Sequence, residues 1–262
     1  MSDTYRRYRA IKQAIMQCYQ PRPTGHREKH FNTLVALICG LTGGKHAHLS
    51  SIADHAPRNG AHQECVIDRF RRWLKHDSQT IDGWFLPVAQ QLLETLAVAP
   101  IQRVMDGSVA GRGCLALMLS VVYHGRALPL CWVVVSAPKG HFPQDTHRAL
   151  LAHVARIMPV EATVTFVGDG EFDGTDLQAD VCRLGWQYVC RTASNILVTA
   201  YGVSFAVGDI GPPVGETRAV SPAWMTAKQY GPVSLIAIHE QQFKQALYLV
   251  TNMSDLDAAL EQ

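Results

Sequence analysis

With 262 residues, 47% hydrophobic and 18% charged, the chain is long enough to bury one large core or two modest ones, and too apolar for disorder to be the default. No stretch is apolar for the length a bilayer requires, and the opening MSDTYRRYRAIK lacks the apolar centre of a secretion signal, which predicts a cytoplasmic protein with no membrane partner. The net charge of +2 hides an asymmetry, because residues 1–99 carry 13 Lys and Arg against 8 Asp and Glu, while residues 100–262 carry 11 against 14. A basic front suits phosphates and an acidic back suits cations. Seven cysteines, an odd number without a C-x-x-C pair, argue against a disulfide framework and a cysteine-rich zinc site; they read as reduced core residues.

From Tyr5 to about Leu96 the apolar residues recur at helical spacing, as in Phe31, Leu34, Val35 and Ile38, then Val66, Phe70, Trp73 and Leu74. The segment HLSSIADHAPRNGAHQECVIDRFRRWLKHD predicts a short helix near Leu49 to His55, a break at Pro57 to Gly60, and a longer helix ending around Lys75. Two helices joined by a Gly-containing turn outline a helix-turn-helix. Arg69, Arg71, Arg72 and Lys75 on the second helix are candidate DNA contacts, and a solvated basic face explains them equally well.

After Pro100 the pattern turns to β. QRVMDGS is a short strand, and CLALMLSVVYHGRALPLCWVVVSAP reads as two long strands around a turn at His124 to Arg126. THRALLAHVARIMP is an amphipathic helix, TVTFVGD a strand, GTDLQADVCRLG a helix closed by Gly185, and WQYVCRT a fifth strand. That order is the order of a ribonuclease H-like α/β fold. Residues 195–252, Gly- and Pro-rich with strand-like pieces such as VSLIAIHE and QALYLVTN, read as a β-rich insertion. The domain plan is therefore a helical region over 1–99, an α/β core over 100–194, the insertion over 195–252, and the start of a last helix over 253–262.

The stretch TFVGDGEFDG, Thr165 to Gly174, carries acids at every second position. An EF-hand loop is excluded by its context, since a β-rich run precedes Asp169 and Asp180 stands where a bidentate Glu belongs. A polar turn, with Asp173 or Thr175 capping the next helix, accounts for Asp173 and Asp176. It leaves Asp169 unexplained, at the carboxyl end of an apolar strand where open α/β sheets collect their ligands. Asp106, in VMDGS, occupies the first strand, and the ribonuclease H-like topology places the first and fourth strands side by side and parallel. Two carboxylates held together on a sheet repel, and a divalent cation such as Mg2+ or Mn2+ removes that cost.

VMDGS, GDGEFDG and GWQYVCRT together resemble DDE transposases of bacterial insertion sequences, specifically insertion-sequence family four, over most of the chain from about Leu34 and most densely from Arg103 to Thr192. The resemblance implies that Asp106 and Asp169 are the first two catalytic, metal-holding acids, with Mg2+ or Mn2+ as cofactor. It implies double-stranded DNA as partner, at transposon ends and target, and a homo-oligomer on that DNA in the nucleoid. The third acid of the family, a Glu in a motif with Tyr, Arg and Lys, has no counterpart here; Ser254 and Asp257 read as a capping box opening a helix that the chain does not complete, and Glu261 lacks its partners. The chain is thus expected to be silent in catalysis by itself, with an inactive DNA-binding remnant and a ribonuclease H-like nuclease as the alternatives. Arg191, at the end of the fifth strand, faces DNA near the metals or makes a structural salt bridge.

Three further signals lead elsewhere. GLTGGKH is one residue short of a phosphate loop and has His46 in place of Ser or Thr. His26 and His30 share a helix face without a third zinc ligand. Trp224 suits a core position better than a base-stacking platform.

Overall fold

The computed structural model describes residues 2–77, 79–111, 113–137 and 142–261, and the chain divides into two units, Met1–Leu92 and Leu93–Gln262. The first unit is built from α1 (Asp3–Met16), α2 (Gly25–Gly44), α3 (Leu49–His55), α4 (Gln63–Leu74) and α5 (Ile81–Trp84). Ala36 of α2, Ile52 and Ala53 of α3, and Val66, Ile67 and Phe70 of α4 close one core, as their helical spacing requires. Tyr19, Phe31, Val35 and Trp84 form a second, in which the Tyr19 hydroxyl donates to the Trp84 carbonyl. Gly40 lets α2 and α3 touch backbone to backbone, since a Cβ there would stand 2.2 Å from the Ile52 carbonyl oxygen. The helix pair matches the sequence reading: residues 56–62 join α3 to α4, with Asn59 and Gly60 at φ 49° and 82° turning the chain.

The boundary between the units falls inside α6 (Leu86–Leu96). The second unit is one ten-stranded mixed sheet with strands β1 (Ile101–Gly111), β2 (Cys114–Tyr123), β3 (Arg126–Ser136), β4 (Val164–Gly168), β5 (Gln187–Arg191), β6 (Leu197–Ala200), β7 (Val203–Ala206), β8 (Thr217–Met225), β9 (Tyr230–Ile238) and β10 (Leu247–Thr251). Their spatial order is β3-β2-β1-β4-β5-β10-β9-β8-β6-β7. The first five, with β1 to β3 antiparallel and β4 and β5 parallel to β1, are arranged as in a ribonuclease H-like fold. The strands of residues 195–252 extend this same sheet, because β10 pairs antiparallel with β5.

Side-chain alternation divides the sheet into two faces. Arg103, Met105, Phe166, Tyr188 and Cys190 fall on one, which carries α7 (Gln144–Ala155): Cys131, in register with Leu119 and so with Met105, donates to the Leu150 carbonyl of α7. Val104, Val167 and Val189 fall on the other, where α9 (Leu256–Leu260) packs through Ala259 and Leu256 against Val189, Ile236 and Met253.

The structure corrects several local readings. α8 (Thr175–Arg183) starts at Gly174 without a side-chain cap, and it ends at Leu184, with Gly185 one residue beyond at φ 73°. The Trp186 N–H bonds to the Val181 carbonyl and that of Gly185 to Cys182, the paired bonds of a Schellman ending. α9 is capped by Asp255, which accepts from the Ala258 N–H at 3.0 Å, and not by Ser254. All seven cysteines are free as expected, but only Cys39, Cys131 and Cys190 are core residues. Trp224 is half-buried.

Candidate metal centre and basic helix

The parallel register of β1 with β4 pairs Gln102 with Thr165 and ends with Val104 beside Val167, so Asp106 and Asp169 each stand two residues beyond the last pair. The register of β4 with β5 pairs Val167 with Val189 and ends with Gly168 beside Cys190, so Arg191 and Asp169 each stand one residue beyond the last pair. Asp106 on β1, Asp169 in the turn just after β4 and Arg191 at the end of β5 thus occupy corresponding positions along three neighbouring strands, a row in sequence register, and all three are exposed. Among the described residues Arg191 makes no ion pair or side-chain hydrogen bond, so the structural salt bridge considered for it is not formed there. Arg191 shares its face with α9, since Val189 alternates with it along β5.

The turn after β4 fixes Asp169. Its Oδ1 accepts from the Glu171 N–H at 2.9 Å and its carbonyl from the Phe172 N–H at 3.0 Å. Gly168 is required by that fold-back, because a Cβ on it would lie 2.8 Å from the Phe172 Cβ.

The neighbouring acids turn elsewhere. Glu171 accepts from the Phe142 N–H at 2.9 Å, stands 3.3 Å from Nε2 of the buried His147, and approaches Gly107, which alternates with Asp106 along β1 and so belongs to the face that carries α7. Asp173 does not cap α8: its Oδ2 accepts from the Thr192 hydroxyl at 2.7 Å. Burial pushes the Asp173 carboxyl up, and hydrogen bonds from Thr192 and the Ala193 backbone oppose that rise. Among the described residues no group of three or more His, Cys, Asp or Glu is placed to hold a metal ion. The oxygen donors of Asp106 and Asp169 suit a hard divalent cation in kind, and supply two of its ligands.

On α4 the four basic residues separate. Arg71 pairs with Asp68 at 2.5 Å, and Lys75, the C-cap, is exposed. Arg69 and Arg72 instead line a cavity with His26, Lys29 and His30 of α2 and with His76. The sequence reading missed these α2 partners, although His26, Lys29, His30 and Thr33 stand three and four apart and must share a face.

No protein-family model matches the chain, and no curated protein matches it. Among solved structures the chain is similar to the piggyBac transposase synaptic complex with hairpin DNA, seen by cryo-EM, at 11% identity and a TM-score of 0.47, covering 97% of this chain and 62% of that one. It is also similar to the crystal structure of human ENDOV, at 14% identity and a TM-score of 0.34, covering 66% of this chain and 78% of that one. The chain thus spans less than two thirds of the piggyBac chain's length.

Proposed function

We propose that the chain is the metal-holding and DNA-binding portion of a DDE transposase of the insertion-sequence-four type, acting on DNA phosphodiesters at transposon ends as a homo-oligomer. What supports this is the parallel register of β1, β4 and β5, which, continued past its last pairs, brings Asp106, Asp169 and Arg191 to corresponding positions at the strand ends. Asp106 and Asp169 would hold Mg2+ or Mn2+, which when bound supplies Lewis-acid chemistry for in-line attack on a phosphodiester. Arg191, a fixed positive charge one strand beyond Asp169, orients the phosphate by donating to its non-bridging oxygens. The turn bond from the Glu171 N–H to Asp169 holds one carboxylate oxygen and leaves the other for the cation.

By itself the chain is read as holding transposon ends without cutting them, because Glu171 is engaged with Phe142 and His147. Isothermal titration of Mn2+ into the wild type and Asp169→Ala is the test. Binding should be lost in the variant, and equal affinity in both would remove the metal assignment.

A further inference from the structure

Two adjoining cavities of about 320 and 360 Å³ open in the helical unit, and Lys29, Thr33 and Arg69 belong to the walls of both. The first reaches α1 through Tyr5 and Tyr8. The second is closed by His26, His30, Arg72, Trp73 and His76. None of the acids on the surrounding helices lines either cavity: Asp3 pairs with Arg6, Glu28 lies 3.9 Å from Lys12, Asp68 pairs with Arg71, and Glu64 and Asp77 stand outside the walls. A cleft walled by three fixed cations and three imidazoles, with no carboxylate, is built for an anion.

Two details point to a ligand. The Arg69 Nε is buried and makes no hydrogen bond, and Arg69 lines both cavities. The imidazoles crowd one another, with ring centroids 4.6 Å apart for His26 and His30 and 5.2 Å for His30 and His76. Burial, and then these two neighbours, hold His30 below its ordinary range, a penalty that an anion between the rings would reverse. A cation is disfavoured there by Lys29, Arg69 and Arg72.

We propose that this cleft is a proton-linked seat for the phosphodiester oxygens of duplex DNA, with Lys29, Arg69 and Arg72 as fixed charges and His30, set between the rings of His26 and His76, as the group through which the proton is linked. The identity of the ligand rests on reading the chain as DNA-binding; the cleft itself belongs to a different unit from the aspartate row. On this reading Arg71 and Lys75, outside the walls, contribute little.

The test uses the full chain and a labelled DNA duplex, followed by fluorescence anisotropy from about pH 8 to about pH 5.5, where histidines titrate and phosphodiesters do not. Wild-type affinity should rise by about tenfold or more over that range. His30→Gln/His76→Gln should flatten the rise. Arg69→Gln/Arg72→Gln should weaken binding throughout and lower the salt slope by about two, whereas Arg71→Gln/Lys75→Gln should keep the pH response. An equal pH response in the wild type and the folded histidine variant overturns the proposal. Histidine ring NMR separates the sources of the anion: shifts with sodium sulfate mean that any free tetrahedral anion is accepted, shifts with duplex alone mean that a continuous backbone is needed, and no shift with either overturns the seat. If the cleft variants bind DNA normally while Asp169→Ala loses Mn2+, this inference fails and the metal reading stands; the reverse pattern removes the metal reading alone.

Discussion

Arg103 is the residue whose position is hardest to reconcile with elementary electrostatics. It sits on β1, fully buried, with Nε and both terminal nitrogens lacking hydrogen-bond partners, and its guanidinium lies 4.1 Å from the centroid of the Trp186 ring. Stacking on the indole returns about 2 kcal/mol, while stripping a cation of water without a partner costs several. Burial accordingly pulls the group down to about 9. A cation whose affinity for its proton falls on folding destabilises the fold fully below the folded value, and the penalty eases as the pH climbs above about 9. Arg103→Met keeps the stem and removes the charge, so urea unfolding at neutral pH should show a gain of about 1 to 4 kcal/mol. That gain should shrink on the alkaline side. A loss at neutral pH would mean that the indole holds the cation better than its missing hydrogen bonds imply. Nothing in QRVMDGS marks Arg103 as buried, since a strand alternates faces and the covering ring, Trp186, is far along the chain. Asp106 and Asp169 stand out in the sequence for the opposite reason, as acids set among or next to apolar strand residues. Glu171 was not, because its orientation depends on His147 and Phe142, which only the folded chain brings near.

Among the elements, those whose punctuation is local were readable, and those set by distant partners were not. Gly185 ends α8 because the position after the cap needs a left-handed backbone, and the sequence marks it with glycine. Gly185→Ala should therefore cost about 1 kcal/mol, measured as a lower thermal midpoint with little change in unfolding cooperativity; an unchanged midpoint would mean that the Trp186 to Val181 bond does not depend on that backbone. The start of the same helix was misjudged. Asp173 has the composition of a cap, yet the Thr192 hydroxyl beyond β5 competes for it and wins. The placement of β10 beside β5 was equally beyond a periodicity argument. It is fixed partly by Asn252, whose Oδ1 accepts from the Tyr188 N–H at 2.9 Å while its amide donates to the Trp186 carbonyl at 3.0 Å. The helix pair α3 and α4 was legible to the residue at its start, since the Pro57 to Gly60 break is written in turn-forming residues.

At the scale of the whole chain, the aspartate row and the basic cleft make different demands. On the proposed reading, DNA is held by the charges lining the cleft, Lys29, Arg69 and Arg72 among them. Cutting it needs cations held tightly enough to stabilise both the attacking and the leaving oxygens, and two aspartates provide too few oxygens for a pair of ions about 4 Å apart. The other acids near the row are committed, Glu171 to Phe142 and His147 and Asp173 to Thr192. On α9 the acids Asp255 and Asp257 sit at the first turn, with Asp255 occupied by the Ala258 N–H, and Glu261 is the C-cap. The purified chain with Mg2+ or Mn2+ and a labelled transposon-end duplex should give a retarded complex without nicks. Metal-dependent nicking that vanishes in Asp106→Ala would refute this and require a third acid within these residues. A parallel loss in Glu171→Gln would then identify that acid, and would mean that Glu171 leaves His147 and crosses the sheet edge when DNA is bound.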